Sequence, residues 1–170
     1  MELLTKPNQW SCLAASFAMA LGITIDKFCA MAGHDGSEKV WPDLPDPLCR
    51  RGFHICEATR IAITLGGSAT PLELFPMTQA TAMSPYHGTE QIPVFYAPSR
   101  DEMGNWMDFA NIISYARGVI ECRTRSGNWH AVAFEKGVIY DPDGRYFGYT
   151  REACEARGLF TTRLWKVARA

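Results

Sequence analysis

At 170 residues and 47% hydrophobic side chains, the chain is sized for one domain with a substantial core. A formal net charge of −1 excludes bulk electrostatic attraction to nucleic acid or to an anionic membrane surface. No apolar run reaches the roughly 18 residues needed to span a bilayer, and residues 1–6 lack the apolar core of a signal peptide, so a cytoplasmic protein is expected.

In chain order, the polar stretch Pro7-Asn8-Gln9-Trp10-Ser11 leads into an almost wholly apolar run from Cys12 to Leu21. A helix without a polar face is normally buried on several sides, and Gly22 ends it. Thr24 is placed to cap a second helix, with Ile25, Phe28, Cys29 and Ala32 at helical spacing and Gly33 as the stop. A Gly-, Asp- and Pro-rich loop follows over residues 34–47. Helical spacing returns at residues 54–65 (Ile55, Ala58, Ile61, Ala62, Leu65) and closes at Gly66-Gly67.

Residues 68–75 read as a short strand. Residues 76–100, with four prolines and little apolar periodicity, read as a long loop holding one short strand at 92–96. A fourth helix is predicted at 106–116. From Gly118 the pattern becomes β, with antiparallel strands at 119–123, 129–134 and 138–140 and turns at 125–128 and 136–137. Thr150 caps a short helix ending at Gly158, and residues 159–167 form a last strand. Helices followed by an antiparallel sheet make an α+β fold, in one domain with a helical part over about 1–117 and a sheet part over about 118–170.

The six cysteines, Cys12, Cys29, Cys49, Cys56, Cys122 and Cys154, form no CxxC pair, and their scattered spacing argues against a disulfide framework. Buried thiols usually act as small hydrophobes. Cys12 differs because it opens a helix, where unpaired amide N–H groups stabilise an anion. His130 opens a strand, and Asp141 lies on the next one. With Lys136-Gly137 as the hairpin turn, residue 132 faces residue 141, which leaves His130 and Asp141 within two cross-strand positions. A thiol, an imidazole and a carboxylate in this layout suit a nucleophile, its base and the residue that orients the base.

Gln9 carries an amide able to donate, with the Cys12 backbone N–H, to an oxyanion, and Asn8 offers the same chemistry one residue further away. Trp10 and Trp129 flank the nucleophile and base and are candidates for binding substrate, although core packing explains them equally. Asp143 is the rival carboxylate, in a turn-forming Asp141-Pro142-Asp143-Gly144. His34, Cys49, His54 and Glu57 fit no standard zinc spacing, so no metal is expected. Arg50-Arg51 and Arg123…Arg125 are too dispersed for a nucleic-acid stripe.

The run Gln9-Trp10-Ser11-Cys12-Leu13-Ala14-Ala15 and the pair His130…Asp141-Pro142 resemble papain-like cysteine peptidases. The nearest branch is that of the bacteriocin-leader-processing (peptidase C39-like) domains. Residues 7–21 are also similar to small proteins of tailed phages. Gln9 stands closer to the cysteine than the family's oxyanion glutamine usually does, and Leu13 replaces the usual Gly or Trp. The resemblance implies a papain-like fold with the nucleophile helix packed on a C-terminal antiparallel sheet. It further implies a thiol hydrolase, a peptidase or isopeptidase, acting on a peptide or protein substrate without metal or cofactor. Cys12 would be the nucleophile, His130 the general base and acid, Asp141 the orienting residue and Gln9 the oxyanion donor. The alternatives are an acyltransferase or amidase on the same fold, and a non-catalytic papain-like binding protein.

Overall fold

The computed structural model describes residues 1–72, 78–84, 88–94 and 113–169. The apolar run forms α1 (Cys12–Leu21), ended by Gly22 in the left-handed conformation at φ 68°. α2 (Ile25–Ala32) is capped by Thr24, whose Oγ1 accepts from the Lys27 amide at 3.1 Å. α3 (Ile55–Thr64) opens with a reciprocal capping box between His54 and Glu57.

The main sheet has six strands, all paired antiparallel. Its members are β1 (Ser68–Leu72), β4 (Arg117–Thr124), β5 (Trp129–Glu135), β6 (Val138–Asp141), β7 (Arg145–Gly148) and β8 (Leu159–Ala168). Their order is β1-β8-β4-β5-β6-β7, so the last strand of the chain lies between the first and the fourth. The short helix α4 (Arg151–Arg157) precedes β8, capped by Thr150. The α+β class expected from the sequence is the class observed.

Both faces of the sheet are covered. Val119, Ala131 and Val167 face the helical layer, where they meet Ala14, Phe17, Ala18, Phe28, Ala58 and Ile61. Ile120, Val132 and Leu164, on the same three strands, face the other core, with Phe134, Ile139, Tyr149 and Cys154. The period of two along a strand sends successive residues to opposite faces. Burial on both faces turns β5 into a nearly continuous apolar segment rather than an alternating one. Among the described residues no single helix is long and apolar enough to cross a membrane.

Three expectations need correcting. The boundary between a helical part (1–117) and a sheet part (118–170) is crossed by β1, which pairs with β8 along its whole length. The segment read as a long loop with one strand at 92–96 contains a two-stranded hairpin, β2 (Thr78–Ser84) with β3 (Gly88–Val94). Its Thr, Gln and Glu content hides the alternation that marks a half-buried strand. β7 went unread because it is only four residues long and largely exposed. The helix expected at 106–116 lies mostly outside the described residues; 113–115 are helical.

Candidate functional site

The site is built where β5 and β6 part. Glu135 pairs with Val138, and the two residues between them, Lys136 and Gly137, both have positive φ (52° and 79°). That is the signature of a type I′ hairpin turn, which fixes the register. Pairing holds to Ala133↔Tyr140. Beyond it other groups take over the backbone: the Ser16 hydroxyl donates to the Ala131 carbonyl at 2.9 Å, and the Lys6 amide donates to the Pro142 carbonyl at 2.9 Å. The N-terminal segment and α1 thus enter the opened hairpin beside His130 and Asp141.

The register puts Asp141 opposite residue 132 and diagonal to His130, on one face. His130 Nε2 lies 3.0 Å from Asp141 Oδ1, and both residues are buried. The same carboxylate oxygen accepts from the Asp143 amide at 3.0 Å, which holds it in place. With Nε2 committed to Asp141, Nδ1 is the ring nitrogen left for Cys12, whose pKa the imidazole lowers.

The titration of these groups follows from the geometry. Burial pushes the Cys12 thiol up. The hydrogen bond and charge of His130, the Lys6 ammonium and the Ala131 amide outweigh burial and hold the pKa below its ordinary value. Burial also disfavours the imidazolium, yet Asp141 and Cys12 together raise His130 to about 9. Asp141 is pushed up by burial and pulled down further by His130 and the Asp143 amide, ending below its usual range. At neutral pH these directions favour a thiolate–imidazolium pair backed by a carboxylate. The Cys29, Cys49, Cys122 and Cys154 thiols are all raised, chiefly by burial, Cys154 to about 12.

The helix end is open toward the sulfur. Ser11 stands at the N-cap of α1 but makes no capping bond. Its hydroxyl instead donates to Asn8 Oδ1 at 2.8 Å, and that oxygen also accepts from the Trp10 amide at 3.2 Å. First-turn amides left without a side-chain cap present positive charge to an anion. Asn8 is thereby committed to shaping the turn before α1. Gln9 is exposed and lines the cavities on both sides of the site.

Two cavities flank the His130 side chain. One, of about 540 Å³, contains Cys12 and Leu13 and is walled by Trp10, Trp41, Phe53 and Ile55. The other, of about 520 Å³, contains His130 and Asp141 without Cys12 and is mainly polar, with Lys6, Asn128, Arg145 and Arg157. Trp129, 58% exposed, borders both and carries the Arg123 guanidinium 4.8 Å over its ring. Trp10 faces only the first. Its indole N–H donates to the Asp35 carbonyl at 3.3 Å, and Arg50 lies 4.8 Å over its ring.

Among the described residues, the three ligand-type side chains that converge within 4.8 Å are His130, Asp141 and Asp143. His130 and Asp141 are bonded to each other, and Asp143 is paired with Lys6 at 2.6 Å. The residues weighed as zinc ligands serve other ends. His34 bonds Glu57 at 2.9 Å and stacks on Phe53, His54 caps α3, and the Cys49 thiol donates to Asp46.

Sequence reasoning passed over Ser16, Lys6 and the Ala131 backbone. Ser16 left a signal: a hydroxyl four residues after Cys12 in an otherwise apolar helix needs a buried partner. Ser16→Ala leaves the Ala131 carbonyl unpaired, with an expected cost of about 1–3 kcal/mol. The measurement is urea unfolding, where the midpoint falls at unchanged slope.

No family model, curated protein or solved structure matches this chain.

Proposed function

We propose that the chain is a cysteine-dependent hydrolase of papain-like design, a peptidase or isopeptidase working through a thioester on Cys12. The observation that carries this reading is a buried His130 bonded to Asp141 and lowering the pKa of a thiol that opens an uncapped helix. Buried charged groups cost stability unless they are paired, and such constellations concentrate at sites of chemistry.

In this reading the Cys12 thiolate attacks a substrate carbonyl, forming the S–C bond. The oxyanion is received by the amides at the start of α1 and by the Gln9 side chain. His130 gives its proton to the departing nitrogen, which keeps the electron pair of the broken C–N bond. Asp141 holds the imidazole with Nε2–H toward itself and stabilises the cation. Water then enters, loses a proton to His130 and releases the acid, restoring the thiolate.

The test is cleavage of a peptide library by wild type and by Cys12→Ala. Cleavage absent from the variant, and an acyl adduct found on Cys12 by mass spectrometry, supports the reading; equal cleavage by both proteins sinks it. The pH profile is also set. Activity rises from acid through the lowered Cys12 pKa and falls through about 9, as His130 loses the proton the leaving nitrogen needs. An alkaline limb absent up to pH 10.5 (well above that value) contradicts it.

A further inference from the structure

We infer that the polar cavity on the His130 side receives the leaving half of the substrate and selects an amine that carries a carboxylate close to the scissile bond. This rests on the peptidase reading.

The chemistry assigns the two cavities. The proton donor must touch the departing nitrogen, so the leaving amine lies on the His130 side of the sulfur and the acyl group on the other. His130 lines both cavities, whereas Cys12 and Leu13 line only the first and Asp141 only the second. The first is therefore the acyl side, and the second is the leaving side.

The arginines of the two sides are in opposite states. On the acyl side Arg50 is bonded to Asp46 at 2.6 Å, Arg51 to Glu57 at 3.1 Å, and Arg163 lies 3.9 Å from Glu121. Each is neutralised within the protein. On the leaving side the acidic groups are the ones already matched, Asp141 with His130 and Asp143 with Lys6. Arg145 and Arg157 line that cavity; among the described residues no carboxylate lies within 4 Å of either, and the charge of Arg145 reaches Asp141 only as a minor influence.

Arg157 is also held in position. Its guanidinium lies 4.0 Å over the Phe147 ring, and Nη1 donates to the Ala153 carbonyl at 3.0 Å. Arg145 is fixed at its root by pairing with Asp141 across β6 and β7. A guanidinium offers a planar fork that matches a carboxylate, and Asn128 supplies a neutral group beside it. The substrate class that answers this lining has Asp, Glu or a free α-carboxylate within the first two residues after the cut.

The experiment maps cleavage sites in a peptide library for wild type and for Arg145→Glu/Arg157→Glu. Iodoacetamide labelling of Cys12 in the same samples shows whether the variant is folded with its thiol still activated. Exposed guanidinium–carboxylate pairs are modest, so the expected enrichment of Asp and Glu after the cut is about two- to fivefold. In the double variant it disappears and gives way to Lys and Arg. Should charge reversal unfold the protein, Arg145→Gln and Arg157→Gln each remove part of the enrichment. Cys12-dependent cuts with no acidic enrichment, or with enrichment untouched by these variants, overturn this inference and leave the peptidase reading standing. Absence of Cys12-dependent cuts overturns both.

Discussion

His130→Ala hydrolyses substrate about 10⁴-fold more slowly than wild type, the scale on which members of such triads act. Two losses combine. The leaving nitrogen has no proton donor, and the thiol loses the hydrogen bond and charge that now offset its burial. With those gone, burial dominates and the Cys12 pKa moves upward, so less thiolate is present at neutral pH. Steady-state rates on any peptide cut by the wild type measure the first effect. Iodoacetamide labelling, which needs no proton donor, isolates the second. A His130→Ala protein that hydrolyses within tenfold of wild type (about 1.4 kcal/mol in the barrier) leaves His130 without the role assigned to it.

Asp141→Asn is the second large effect, an expected loss of about 10²–10⁴ in kcat. The amide nearly preserves shape but removes the negative charge. It also offers a donor where His130 Nε2–H needs an acceptor, which turns the tautomer around. The pH profile makes the prediction specific. Asp141 is the largest of the influences that raise His130 to about 9 against the opposing effect of burial. Without it the imidazole pKa falls, so the alkaline limb moves to lower pH. An Asp141→Asn enzyme that loses activity with the alkaline limb still near 9 shows that the carboxylate acts on something other than His130. Asp143→Asn, which breaks the pair with Lys6, is the companion variant and leaves the Asp141–His130 bond in place.

Much of this site was legible in the sequence because its parts are local. Cys12 announces itself by opening an apolar helix, and the observed α1 has the expected ends. The His130–Asp141 relation follows from a two-residue turn, since the register of a hairpin is set by its loop and the side-chain period is two. Asn8 and Gln9 were equivalent by composition. The structure distinguishes them by fixing the Asn8 oxygen on Ser11 and Trp10 while Gln9 stays exposed.

What could not be read is assembled from distant segments. Nothing in residues 159–167 indicates that they insert between β1 and β4, because strand order is set by packing across both faces of the sheet. The leaving-side cavity draws on Lys6, the 124–128 turn, Arg145 and Arg157, which no sequence window holds together. The β2–β3 hairpin was obscured for another reason. Its Thr, Gln, Glu and Ser residues interrupt the apolar positions, and one of its ties to the sheet is an ion pair between Glu90 and Arg123.

The central claim is that His130 makes Cys12 a thiolate at neutral pH, and the pH dependence of alkylation tests it most directly. Wild type and His130→Ala are labelled with limiting iodoacetamide across a pH series, and each cysteine is followed by peptide mass spectrometry. The exposed Cys56 serves as the internal reference. The account predicts that Cys12 labels half-maximally below the ordinary thiol range in the wild type and that this low-pH labelling is lost in the variant. Labelling of Cys12 that tracks Cys56, or that is indifferent to the loss of His130, contradicts it.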